Sequence, residues 1–227
     1  MFRALVLAAC LLACACTTTN MRVAEAVQRP DPGATILLIQ PDVELGLLTA
    51  SGLTETRADW SDAAVANLQT AIEAHLAGSQ HQLQVIDPEA AMGGRSGQIL
   101  RLHEAVGQSI LMHDYGPYPL PTKTDGFDRT LGAGAAELGR DVNADYALFV
   151  YGRGNYASSG RVVTMVALSA LGVGIPLGNQ QAFVSLVELE TGRVVWFNTA
   201  VAGPQADMRE AGGAQALVAS MFEGAPL

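Results

Sequence analysis

Short apolar runs alternate with helical stripes along most of this chain. Ile36-Leu37-Leu38-Ile39 is a continuous apolar run closed by Pro41, which predicts a strand buried on both faces. From Trp60-Ser61 onward, Val65, Leu68, Ile72 and Leu76 keep helical spacing. Ser61 is expected to cap that helix, with Trp60 and Val65 at the staple positions. Gln82 to Ile86 alternates around Leu83 and Val85 as a second strand, and Ile99, Leu102, Val106 and Ile110 form a second helical stripe capped by Ser96. Three prolines between Gly116 and Pro121 then interrupt, so Tyr115 to Pro121 reads as a loop.

Beyond the loop, Leu131, Ala135, Leu138 and Val142 predict a helix weakened by Gly132, Gly134 and Gly139, and Tyr146 to Tyr151 predicts a buried strand. Ser158-Ser159 can cap a segment in which Val162 to Leu171 is apolar on every side, with Gly172 to end it. Phe183 to Leu189 and Val194 to Val201, joined through Glu190-Thr191-Gly192, read as a β-hairpin. Leu217, Val218 and Met221 give a closing helix. The expected architecture is α/β: a mixed sheet of about five strands with helices packed on it, and a carboxy-terminal hairpin followed by a helix.

The amino terminus carries a different signal. Arg3 precedes an uncharged run from Ala4 to Ala13, the charged-then-apolar order of a secretory signal, and the run is too short for a span of about 20 residues. All three cysteines, Cys10, Cys14 and Cys16, fall in or directly after it. A disulfide or thiolate chemistry in the later chain is thereby excluded. Residues 17–33 lack apolar periodicity and contain Pro30 and Pro32, so 14–33 is expected as a tether and 34–227 as a single domain after a signal peptide at 1–13.

Leu11-Leu12-Ala13-Cys14 resembles the lipobox of bacterial lipoprotein signals, which implies cleavage and acylation at Cys14; Leu7-Ala8-Ala9-Cys10 and Ala13-Cys14-Ala15-Cys16 are the alternatives. Several acyl chains would anchor the protein stably without spanning, each buried methylene contributing about 0.8 kcal/mol. Ala15 stands where an Asp favours inner-membrane retention in the enteric pattern, so the resemblance implies an outer-membrane anchor facing the periplasm.

Composition narrows the function. The 227 residues are 49% hydrophobic and 15% charged, enough for a sizeable core, and the net charge of -9 lacks the basic face that nucleic acid requires. The single lysine, Lys123, follows Thr122, so no phosphate-cradling Gly-Lys-Ser/Thr loop exists.

Val187-Glu188-Leu189-Glu190-Thr191-Gly192-Arg193-Val194-Val195-Trp196 resembles the hairpin of envelope lipoproteins of the curli-secretion-channel type and of the amino-terminal domain of the Tol translocation protein. In those domains it follows a strand like Ala144 to Val150, and an opening strand and helix like Ile36 to Leu76. Tyr146 to Phe197 is also similar to a group of proteobacterial lipoproteins for which the likeness implies no activity. The channel family inserts hairpins of alternating residues into the membrane, and Val162 to Leu171 has no such alternation.

Motifs for catalysis are incomplete. His103-Glu104 opens like the helical zinc signature, but Gly107 stands where the second histidine is needed, and His113 is too far along to replace it. Gly94-Arg95-Ser96-Gly97 lacks the spacing of a nucleophile elbow, and Gly132-Ala133-Gly134 lacks a preceding strand and a third glycine. The carboxylate pairs Asp42 with Glu44 and Asp141 with Asp145 read as surface charge. No catalytic residue, metal ligand or cofactor is expected.

Two features point to interaction. The Tyr-Pro loop offers Tyr115 and Tyr118 on a stiff backbone, and Arg153 and Arg161 flank Gly154 to Gly160 beside a long uncharged segment. Val162 to Leu177 falls short of a comfortable span and is expected as a buried or interface helix, with membrane contact as the alternative. The function expected is a non-enzymatic binding or assembly module of the envelope, its partners the membrane through the lipid, envelope proteins or its own copies. The alternatives are an oligomeric secretion or translocation component whose segment 162–177 touches membrane or neighbouring subunits, and a hydrolase assembled from distant residues.

Overall fold

A computed structural model describes residues 17–24, 29–88, 93–123 and 126–227. The signal peptide and Cys10, Cys14 and Cys16 lie outside the described residues. The strands are β1 (Thr18–Val23), β2 (Thr35–Ile39), β3 (Asp42–Leu48), β4 (Thr54–Thr56), β5 (Gln82–Ile86), β6 (Tyr146–Ala157), β7 (Gly178–Glu188) and β8 (Val194–Val201). The helices are α1 (Ala58–Leu76), α2 (Gly94–His113), the short α3 (Ala136–Gly139), α4 (Ser159–Ser169) and α5 (Ala211–Met221).

Among the described residues all eight strands belong to one sheet with the order β1-β8-β7-β6-β2-β5. β2 runs parallel to β5 and to the first half of β6, and β3 runs parallel to the second half of β6 and pairs antiparallel with β4. β6, β7, β8 and β1 are antiparallel in succession. The mixed pairing follows the expected logic, with helical crossovers early in the chain and a hairpin late.

Two apolar layers sandwich the sheet. On one face Leu68, Ile72 and Leu76 of α1 and Leu217, Val218 and Met221 of α5 pack over Leu148, Val150, Val184 and Trp196. Burying each Leu or Ile contributes about 1.5–3 kcal/mol relative to exposure. On the other face α2 and the stretch from Phe127 to Leu138 cover Leu37, Phe149, Phe183, Val187 and Phe197.

Several local expectations shift. Ser61 does not cap α1, which starts after Arg57; its hydroxyl instead accepts from the Leu45 amide at 3.0 Å and donates to the Arg57 carbonyl, tying the helix to β3. Gly93, not Ser96, holds the cap position of α2, and the buried stripe is Ile99, Leu100, His103, Gly107 and Ile110, leaving Leu102 in solvent. The glycine-weakened helix breaks into a 3-10 turn, α3 and a second 3-10 turn, ending at Asn143 with φ 51°.

Thr18–Val23, within the stretch expected as tether, is an edge strand on β8, so the sheet begins well before Ala34. Its side chains are mostly exposed and it is held by backbone hydrogen bonds, which leave no apolar signature in sequence. The hairpin turn places Gly192 at φ 73° directly on the Gly132 backbone, where a Cβ would overlap the Gly132 carbonyl. Gly192→Ala is therefore expected to lower stability by about 1–3 kcal/mol from the backbone conformation alone, plus the cost of the overlap, read as a fall in urea midpoint. An unchanged midpoint would show that this turn relaxes freely.

Candidate functional site

α2 crosses the strands obliquely, from Leu100 near the β2 side to Tyr115 above β8, and covers only part of their face. Cross-strand register fixes what lies beyond it. Tyr151 on β6 stands opposite Phe183, which stands opposite Thr199 and then Asn20, and one step further Arg153, Gln181, Val201 and Thr18 form the next row. Directly opposed residues share a face, so the β6, β7 and β8 members of these rows floor a cleft whose wall is Gln108, Leu111 and Tyr115. Its volume is about 490 Å³, within the range of about 300–1,000 Å³ usual for small-molecule sites.

The aromatic floor is ordered by stacking. Tyr151 and Phe183 lie 4.6 Å apart at 11°, Phe183 and Phe197 5.1 Å apart at 19°, and Tyr115 tilts over Phe197 at 5.8 Å. The Tyr115 hydroxyl donates to the Phe197 carbonyl at 3.3 Å, and Arg22 lies over its ring at 5.1 Å. Burial pushes the Tyr115 and Tyr151 phenols above their ordinary range, which keeps both neutral.

Arg153 sits at the mouth of the cleft, already neutralised. Its guanidinium meets the Asp42 carboxylate at 3.0 Å and Glu44 at 3.6 Å and donates to the Asp42 carbonyl. Burial works against its charge, but the bond to Asp42 and the two carboxylates more than offset this and raise its pKa. The register thus brings two of the sequence candidates, Tyr115 and Arg153, to one cleft. Tyr118 stands apart, 69% exposed, its carbonyl accepting from His113 Nδ1 at 2.6 Å.

Arg161 lies elsewhere and faces inward. It is buried, donating to the Pro176 carbonyl at 2.7 Å and to the Thr49 carbonyl at 3.4 Å, so it braces the two ends of the α4 excursion against the β3–β4 tip. Of the buried or interface helix expected at 162–177, burial is corrected. Ser158 caps α4 by accepting from the Arg161 amide, but Val163, Val166 and Leu171 are 69%, 59% and 78% exposed. The chain leaves the sheet at Ala157 and returns at Leu177, whose carbonyl accepts from the Ala157 amide, so the helix lies beyond the strand ends and, among the described residues, no second layer covers these three side chains. Among the described residues no helix is long and apolar enough to cross a membrane.

No protein-family model and no curated protein matches the chain. Among solved structures it is similar to the PelC dodecamer from Paraburkholderia phytofirmans, at 13% identity over 91% of this chain and 95% of that one, with a TM-score of 0.41. It is also similar to the LpoB C-terminal domain from Salmonella enterica, at 14% identity over 79% of this chain and 87% of that one, with a TM-score of 0.30.

One group missed from sequence is the polar knot beneath α2. His103, 1% exposed, stacks on Phe149 at 3.6 Å, its Nε2 lies 2.6 Å from Ser185 Oγ, and its Nδ1 lies 3.5 Å from the Tyr151 hydroxyl. Burial lowers its pKa to about 3, so the imidazole is neutral. A serine beside a histidine is the pairing of acyl-transfer enzymes. Here Ser185 has no solvent exposure, and a nucleophile that no substrate can reach works as a packing bond. Gly107 lets α2 sit this close, since a Cβ there would lie 3.0 Å from the Phe183 ring. The pair joins positions 82 residues apart, a separation that no local motif could reveal.

Proposed function

We propose that the chain is a lipoprotein anchored through acylated Cys14 in the outer membrane and facing the periplasm, where it serves as a non-enzymatic binding or assembly module resting on the membrane by its α4 end. The observation carrying this reading is the convergence of the amino-terminal strand and the exposed apolar helix at one end of the sheet. Thr18 pairs with Val201, Val201 with Gln181 and Gln181 with Arg153, close to where β6 gives way to α4. Thr18 therefore lies three strand spacings, about 14 Å, from β6. Only Ala15, Cys16 and Thr17 separate Cys14 from that strand. The exposed Leu53 at the β3–β4 tip and Val201, Val173 and Leu177 add to the same apolar end. A short anchor there holds α4 against the lipid, and contiguous exposed apolar surface is the feature of such contacts.

The wild-type chain should incorporate radiolabelled palmitate and a Cys14→Ser chain should not; equal labelling would remove the anchor site. On phospholipid vesicles, the Cys14→Ser protein should bind weakly and lose at least about tenfold in affinity on Val163→Asp with Val166→Asp, equivalent to about 1.4 kcal/mol. Unchanged vesicle affinity, together with a smaller molar mass by light scattering, would assign the apolar end to a neighbouring copy instead, as an oligomeric secretion component requires.

A further inference from the structure

We propose that the cleft beside α2 binds an uncharged saccharide segment, stacked against the Tyr151, Phe183 and Tyr115 edges and held by Gln108 and Gln181. Three observations select this chemistry. The floor shows the edges of the stacked Tyr151 and Phe183 rings beside the half-buried Tyr115, and apolar faces of sugar rings pack on aromatic carbon while their rims need hydrogen bonds. The polar groups around it are amides and a hydroxyl, Gln108 on α2 and Gln181 and Thr199 on the sheet, and each amide both donates and accepts, as a ring of hydroxyls demands. The charges beside it balance, Arg153 lying against Asp42 and Glu44 and Arg22 over the Tyr115 ring. The cleft therefore offers no net charge to a phosphate, an anionic polymer or a basic peptide.

The surroundings extend the same chemistry. Past the cleft, Asn155 on β6 stands opposite Asn179 on β7, and Asn20 on β1 stands opposite Thr199, so amides and a hydroxyl flank the exposed Val201 on this sheet face. A linear glycan of several rings could lie along this strip with one ring seated in the cleft. Gln108 and Gln181 are both exposed, so removing either side chain leaves the core intact. The cleft shares Val201 and Gln181 with the row nearest α4, and the titration below reads saccharide binding separately from the palmitate label that reads the anchor.

The test is isothermal titration of the processed protein in a zwitterionic detergent that carries no sugar headgroup. The probes are cellotetraose, maltotetraose and chitotetraose, with tetragalacturonate and tetralysine as charged controls. Saturable binding of at least one neutral tetramer is expected, weakened about 2- to 10-fold by Gln108→Ala or Gln181→Ala, the effect of one hydrogen bond each. Arg153→Gln should change it less than either. Three results would overturn the proposal: no saturable binding of any neutral tetramer, tighter binding of a charged control, or binding that the paired glutamine variant leaves unchanged.

Discussion

His103→Ala should lower the unfolding free energy at pH 7 by about 3–5 kcal/mol, the range for emptying a buried ring-sized site. Part of that loss is the stack on Phe149, and part is Ser185, whose fully buried hydroxyl loses its 2.6 Å partner. A stranded buried hydroxyl alone costs about 1–3 kcal/mol. The effect should also depend on pH. Burial lowers the His103 pKa to about 3, below its ordinary value of 6.5. Between those values the unfolded chain binds a proton that the folded protein excludes, so wild-type stability falls as pH falls, by up to about 1.4 kcal/mol per unit. The alanine variant has no such proton uptake on unfolding at this position. The stability gap between the two proteins should therefore narrow by about 2 kcal/mol between pH 6.5 and 5. Urea titrations at both pH values measure this directly, and a constant gap would mean that His103 is already solvated.

The second large effect concerns Asp114 and Arg129. Two parallel hydrogen bonds, Nε and Nη2 of Arg129 to the two carboxylate oxygens at 2.9 Å each, join the end of α2 to the segment that leads into the β8 contact. The side chains are 8% and 12% exposed, so this pair belongs to the interior. Asp114 also closes α2 through its amide on the Ile110 carbonyl, and its own carbonyl accepts from Arg22 on β1. Asp114→Ala should cost about 3–5 kcal/mol, because it leaves a buried guanidinium without its counter-charge. Replacing both residues with leucine should cost clearly less than the single change, since the penalty comes from stranding one charge. A double variant that is as unstable as the single one would locate the cost in packing and not in charge.

In several elements the repeating apolar signal and the structure agree. β2, β5, the β7–β8 hairpin and α5 fall where Ile36–Ile39, Gln82–Ile86, Phe183–Val201 and Leu217–Met221 place them. β1 and β4 were invisible because edge positions are paired through backbone and expose their side chains. β6 continues past Tyr151 through its pairing with β3 and β7, and Gly152 and Gly154 lie there under close neighbours, Met208 and Val43 above one and the Gln180 backbone above the other. α4 carries the largest correction: residues apolar on all sides left a buried and an interface helix equally open, whereas Val163, Val166 and Leu171 stand exposed. The cleft was legible only as isolated candidates. Tyr115 and Arg153 lie on separate elements, and only the β6–β7–β8 register, together with the angle of α2, sets them on one face.

The placement of β1 has a mechanical side. The chain enters the sheet at Thr18 and runs antiparallel to β8 as far as Val23, paired from Thr18↔Val201 to Val23↔Trp196. Its hydrogen bonds lie across the strand axis. Tension applied at Thr18 along that axis loads the whole ladder in shear, so the bonds share the force and do not open one after another like a zipper. A strand that contributes little to the apolar core is in this way placed to resist extraction of the domain by a pull at its leading end.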